Sequence, residues 1–418
     1  MDNFLKRFLP ISLSVVIIST AGFLWLNTPK AQAGFSYSRT ITIDHTKVPN
    51  TNQTNFPVLV NGTYSYLATV ANGGNIQNTI SFNGQTVPAD LKFTSDSAGT
   101  TLLSWEVASY TSTTGAIEVW VNVPTVATAT DTVIYMFYGD SSVLTYQGGA
   151  VGAVYDSNYK GVWHLPNGTT LTANDSTTNA NNGSVNGLIT ATTGQIDGAM
   201  ATPGSGAASV QASDSASLTV TGSLTYEAWV YPTNTGIYQS IISKVDSGNG
   251  NREYSLFLDA GSQSNVYIGL NRSTVSPYLS YNNTVGMSSS WSTNAWNHIV
   301  VAVNAGTDFR VYLNGALAAT ISGNYGSTDS GNVAPIFFGE EFNNSFPMVS
   351  GKIDEVRVSN TNRSADWIAT EYNNQNSPST FYTLGSQQSV TSPSSQVTVG
   401  KYGSVQVIGN GAMVIRAR

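Results

Sequence analysis

Two of the three histidines closely follow a tryptophan, in Gly161-Val162-Trp163-His164-Leu165 and Trp296-Asn297-His298-Ile299. Both runs read as strands, so either imidazole could act as a metal ligand or a general base. Neither has a second histidine or a glutamate at ligand spacing. The favoured reading is a core histidine whose ring nitrogen bonds a backbone carbonyl. His45 falls in a loop with no visible partner. Glycoside hydrolysis would need two carboxyls facing one sugar. On a strand these would appear as Glu-x-Asp-x-x-Glu or Glu-x-Asp-x-Glu, so that alternate side chains share a face. No such string occurs, and the adjacent pairs Glu340-Glu341 and Asp354-Glu355 are expected to point to opposite sides of their strands. There is no Gly-x-Ser-x-Gly elbow and no cysteine, which removes thiol nucleophiles, disulfides and thiolate zinc sites together. The sequence therefore predicts no catalytic centre.

Binding chemistry has better material. Tyr278, Tyr281 and Trp291 sit among Ser280, Asn282, Asn283, Ser288, Ser289 and Ser290. A second loop places Glu341, Phe342, Asn343, Asn344 and Phe346 together. Aromatic faces stack on the apolar faces of sugar rings, while amides and hydroxyls read the hydroxyl groups. The candidate ligand-binding residues are thus Tyr278, Tyr281, Trp291, Phe342, Asn343 and Asn344. The competing reading is that these aromatics are sandwich-edge residues tucked against loops. Composition leans the same way. Charged residues make up 10% of the 418, and Ser, Thr, Asn and Gly fill the polar positions, which suits a neutral partner. A net charge of −7 with no basic run longer than a pair excludes a phosphate backbone.

The elements that must position these residues are strands. Short alternating runs rich in Val, Ile, Thr and Tyr recur between Gly, Asn and Ser clusters, the pattern of antiparallel sandwiches. Asn314-Gly315 after Phe309-Arg310-Val311-Tyr312-Leu313 reads as a type I′ hairpin turn. One helix is predicted over 364–372, with Ser364 as N-cap, Asp366 in the first turn, and Trp367, Ile368 and Tyr372 facing inward. Lys6-Arg7, an apolar run over 8–26 and Ala31-Gln32-Ala33 have the order of a secretory signal peptide over 1–33, an uncleaved anchor being the alternative. The expected location is secreted or at the cell surface. Residues 386–396 read as a linker, and 397–418 as a β-hairpin tail with strands over 403–407 and 411–415.

Over 35–147 the chain resembles the domain of unknown function 2341 family. The resemblance rests on Tyr37-Ser38-Arg39-Thr40-Ile41-Thr42-Ile43-Asp44, Asn55-Phe56-Pro57-Val58-Leu59-Val60, Leu103-Ser104-Trp105-Glu106, and Tyr135-Met136-Phe137-Tyr138-Gly139. It implies an extracellular β-sandwich with no established activity. Over 155–385 the chain resembles a laminin-G-like, concanavalin-A-type jelly roll. The carriers are Gly161-Val162-Trp163-His164-Leu165, Tyr226-Glu227-Ala228-Trp229-Val230, Trp296-Asn297-His298-Ile299 and Gly351-Lys352-Ile353-Asp354-Glu355-Val356-Arg357-Val358. This resemblance implies a structural calcium held by Asp354, with Asp175 and the turn around Asn167 as partners. Pro166-Asn167 stands where many relatives carry an acid, which removes a charge from that site. The fold expected is all-β, two antiparallel sandwiches in tandem. The function expected is non-catalytic binding or adhesion to a glycan or surface polymer. The alternatives are a structural surface component assembling through its tail, and a glycoside hydrolase.

Overall fold

Alternation along Ala116–Val126 shows how the first sandwich forms. Ile117, Val119, Val121 and Val123 are buried inside it, while Glu118 and Trp120 are buried on the opposite face. A strand buried on both faces must have a second layer against it. The computed structural model supplies that layer. It describes residues 34–166, 171–203, 208–245, 252–270, 279–327, 333–342 and 345–390, with the backbone of three further strands. Residues 34–391 form one contact unit, and 1–33 with 392–418 form another.

In the first module a three-stranded sheet (Gln53–Thr63, Ala116–Val126, Trp105–Thr111) packs on a six-stranded one built around Tyr37–Ile43 and Thr132–Tyr138. Phe93 and Trp105 meet edge to face at 5.5 Å in its core. The second module is an antiparallel sandwich of an eight-stranded and a seven-stranded sheet. Tyr226, Ala228, Val230, Ile299, Val301 and Val303 project inward from the larger sheet, and Tyr254, Leu256, Leu258, Val266 and Ile268 meet them from the smaller. The chain is all-β, as expected. The Asn314-Gly315 turn also forms, with both residues at positive φ, 52° and 78°.

The expected helix forms as α1 (Ala365–Asn376), longer than predicted, and Oγ of Ser364 accepts from the Trp367 N–H at 3.1 Å. It packs Ile368 against Val300, Ala302 and Tyr312 on the outer face of the eight-stranded sheet. Trp367 turns the other way and meets Phe56 of the first module at 4.8 Å. Asn374 accepts from the Leu59 N–H at 2.7 Å and donates to its carbonyl at 3.0 Å, so a side-chain amide stands in for a neighbouring strand. A short α2 (Pro378–Phe381) follows.

The boundary at 385 and the linker over 386–396 need correction. Tyr382–Leu384 pairs with Ile41–Ile43, and Gln388–Ser389 pairs with Tyr37 and Ser38, so the chain returns to complete the first module's sheet. The physical reason is an open edge: the first strand has unpaired backbone groups that only a returning segment satisfies. In the other unit, Gly403–Ile408 pairs with Ala412–Ala417, and Gln396–Val399 adds a third strand.

Candidate binding face

The two outer faces of the jelly roll differ. That of the seven-stranded sheet carries an aromatic cluster beside a clamped arginine. In Asn265–Leu270, Val266, Ile268 and Leu270 enter the core, so Tyr267 must point outward. Tyr267 lies edge-on to Tyr238 at 5.7 Å and to Phe257 at 5.8 Å, and Phe346 meets Tyr238 at 6.2 Å. Tyr238 and Phe346 are 36% and 43% exposed, respectively. Arg252 lies under this cluster, its guanidinium 5.4 Å from the Phe257 ring centroid. Its Nε and Nη2 donate to both Glu341 oxygens at 2.7 and 2.9 Å, and Nη1 donates to Asn282 Oδ1 at 2.8 Å. Gly269 makes room: a Cβ there would fall 2.4 Å from Arg252 Cδ. Arg252 thus ties the loop containing Glu341 to the strand Tyr281–Gly286, joining the two stretches that the sequence singled out.

The individual predictions fare unevenly. Trp291 is 1% exposed, belongs to the core between the sheets and donates its Nε1–H to the Asn265 carbonyl at 3.0 Å. Tyr281 alternates with Asn282 and so faces inward, 4.8 Å from Phe309 and 5.5 Å from Tyr325. Both are corrected from ligand contacts to packing residues. Phe342 is half-buried, edge-on to Phe337 at 6.3 Å. Tyr278, Asn343 and Asn344 lie outside the described residues, as does Asn167. Sequence reading missed Tyr238, Tyr267 and Arg252. The signal for Tyr267 was present, as an aromatic between two core aliphatics.

The outer face of the eight-stranded sheet is buried under the first module and α1, and it is charged. His164 Nδ1 lies 2.6 Å from Glu355 Oε1, and its Nε2 lies 2.9 Å from Glu106 Oε1. Trp120 stacks on the imidazole at 5.5 Å and takes Arg357 over its ring at 4.5 Å. Arg357 pairs with Glu355 at 2.8 Å and with Glu371. The partners of His164 are therefore two carboxylates and the Tyr155 hydroxyl, 3.1 Å from Nε2, not a backbone carbonyl, and Glu106 comes from the first module. Burial alone would lower the His164 pKa, but Glu355 and Glu106 outweigh it and hold it up to about 10. With a carboxylate at each ring nitrogen, the protonated imidazole donates a hydrogen bond to both. It borders a small cleft of about 40 Å³, open to solvent, whose walls include Phe82 and Tyr146 stacked at 4.0 Å. His298 behaves oppositely: burial, reinforced by the Arg357 charge, pushes it down to about 3. His45 also has a partner, Asp131 at 2.6 Å, at an exposed site.

Asp354 and Glu355 do not point to opposite sides. Glu355 sits at φ 49°, and the pairing of its strand with Leu224–Tyr231 slips by one residue there. This bulge turns both carboxyls to the outer face, where they lie fully buried and not in a groove. Glu118 joins them from the first module. Burial, with Asp197 and Glu355 adding, pushes Glu118 up to about 9, and burial beside Glu355 holds Asp354 well above the usual carboxylate range.

Of the set implied for calcium, Asn167 lies outside the described residues, and the two carboxylates are engaged by the protein, with Asp354 Oδ1 left buried without a hydrogen-bond partner. Asp175 Oδ1 accepts from the N–H groups of Val162 and Thr177, and its Oδ2 accepts from the Thr177 hydroxyl and the Asn181 N–H. Asp354 Oδ2 accepts from the N–H groups of Gln195 and Ile196, both at 2.9 Å. Each carboxylate holds its own turn. Neither belongs to a cluster of three or more potential metal ligands among the described residues.

A tandem of antiparallel sandwiches, the second a concanavalin-A-like jelly roll, is what this fold defines. Comparison agrees: residues 87–165 match the domain of unknown function 2341, and residues 204–369 match the concanavalin A-like lectin/glucanases superfamily. No curated protein matches the chain. Among solved structures it is similar to the binding domain of Paraclostridial Mosquitocidal Protein 1, at 15% identity and a TM-score of 0.41, covering 51% of this chain and 52% of that one. It is also similar to domain 4 of AbnA, an extracellular arabinanase from Geobacillus stearothermophilus solved with arabinotriose, at 18% identity and a TM-score of 0.37, covering 51% and 98%. The botulinum neurotoxin serotype G binding domain matches at 15% identity and a TM-score of 0.39, covering 51% and 50%. The chain thus spans about half the length of the first of these.

Proposed function

We propose that the protein is an exported, non-catalytic binding protein whose jelly roll holds a neutral glycan on the outer face of the seven-stranded sheet. The observation carrying this reading is the open cluster of Tyr238, Tyr267 and Phe346 above the Arg252–Glu341–Asn282 clamp. The exposed rings offer stacking surfaces. Asn282 and Thr284 beside them, both half-buried, supply an amide and a hydroxyl for hydroxyl groups. Export rests on the order of charge, apolar run and small residues over 1–33. No helix among the described residues is long and apolar enough to cross a membrane.

The test is a glycan array with the full chain and with a Tyr238→Ala/Tyr267→Ala variant. Retention of a glycan class by the wild type, weakened at least about 10-fold in the variant, is expected if two stacking faces are lost, since tenfold corresponds to about 1.4 kcal/mol. Equal retention by both proteins would sink the assignment.

A further inference from the structure

The outer face of the eight-stranded sheet holds a second cluster, which meets the His164 network at Glu371. Glu227 on Leu224–Tyr231, His298 on Asn297–Asn304 and Glu371 on α1 each offer a ligand atom, all within 4.8 Å of one another. The residues are 3%, 1% and 2% exposed, respectively. Glu227 Oε2, Glu371 Oε2 and His298 Nδ1 have no hydrogen-bond partner, although buried acceptors are almost always satisfied. The Glu227 and Glu371 carboxyls offer oxygens within 4.8 Å of each other, away from water. Two carboxylates that close require either a shared proton or a cation between them.

We propose that Glu227, His298 and Glu371 bind a divalent transition-metal ion of the zinc or manganese type. The donor set is one imidazole and two carboxylates, which suits those ions, whereas calcium takes oxygen ligands. Charge supports it. Glu106, Glu355, Glu371, Glu227 and Asp156 line this layer against His164, Arg357 and Arg363, leaving negative charge in excess. Arg357 engages the other Glu371 oxygen and would orient that ligand. Trp229 and Tyr372 flank the His298 ring at 5.1 and 6.2 Å and fix its plane. The ion would pin α1 to the sheet. Because α1 also carries Trp367 and Asn374 into the first module, the ion would strengthen the attachment between modules.

The site is closed, so the ion would load during folding. The full chain is refolded with equimolar zinc, manganese or calcium, desalted, and assayed for bound metal and thermal midpoint. About one equivalent of zinc or manganese retained, with a midpoint roughly 3–6 °C higher, is expected; calcium leaves the midpoint unchanged. Refolding with cobalt gives visible absorption bands from the histidine–carboxylate site. Glu227→Gln, which keeps the side-chain shape, binds at least about 10-fold more weakly and loses those bands. Three results would each overturn the proposal: wild type that stays metal-free with no midpoint response, a response to calcium alone, or zinc binding undiminished in both Glu227→Gln and His298→Gln. In the first case, a metal-free Glu227→Gln protein more stable than wild type identifies a shared proton instead.

Discussion

The jelly roll's two outer faces are built from the same strand pattern yet have opposite fates. One is roofed by the first module and α1 and filled with charge: His164, Glu355, Arg357 and Glu371 are all at most 7% exposed. The other has no second module over it and displays Tyr238, Tyr267 and Phe346. Charge under a roof must be paired at close range, because unpaired buried ions are far costlier than exposed ones. Among these groups, His164 also reaches Glu106 and so links the two modules. On the open face, Tyr267 and Phe346 pack on Phe257 from the solvent side, and all three aromatics stay partly open to water.

The sharpest way to break this contrast is to unpair the closed face. Glu355→Ala takes one of two carboxylate partners from both His164 and Arg357 and should cost about 3 kcal/mol, measured by urea unfolding. A loss under about 1 kcal/mol would mean the network contributes little to joining the modules. Next comes Trp291→Ala, expected to cost about 3 kcal/mol by opening a cavity while leaving glycan affinity of the folded protein unchanged. If affinity vanished with stability intact, Trp291 would be a ligand contact after all.

Titration separates the faces further. His164 has its folded pKa raised to about 10 from an ordinary value near 6.5. Its contribution is complete below about pH 6.5 and lost as pH rises through 10. Glu118, raised to about 9, acts in the same direction: its contribution is present below its ordinary range and lost as pH rises through 9. His298, depressed to about 3, works the other way, losing its contribution as pH falls from about 6.5 through 3. The thermal midpoint should therefore peak near pH 6 and fall toward pH 9, with Glu118→Gln flattening the alkaline side. A midpoint constant from pH 6 to 9 in the wild type would contradict the buried pairing.

Much of this was legible from residues alone. Strand alternation gave two sandwiches, Asn-Gly gave its hairpin and Ser364 gave the helix cap, because each signal is local. The misses share a cause. Period-two alternation assigns faces only where the strand is regular, and the bulge at Glu355 reverses it for one residue, hiding a carboxyl cluster. Alternation did contain the answer for Tyr281 and Tyr267, but polar neighbours drew attention to the wrong tyrosine. The pairing of His164 with Glu106, 58 residues away, and the return of Tyr382–Leu384 to the first sheet depend on tertiary contact and leave no local trace.

The smallest expected effect tests whether the open face is organised or merely exposed. Arg252 reaches Glu341 with two parallel hydrogen bonds and Asn282 with a third. Lysine keeps the charge but cannot form that planar fork. Arg252→Lys should therefore cost only about 1 kcal/mol of stability, since one ion pair survives and two hydrogen bonds are lost. The loop carrying Phe346 would lose its tie to the strand carrying Asn282, so the platform would loosen while its aromatics stay in place. Glycan affinity should drop about 10-fold by titration calorimetry, through a larger ordering penalty on binding. Unchanged affinity in Arg252→Lys, alongside a loss in the double tyrosine variant, would assign recognition to the rings alone and reduce the clamp to a packing device.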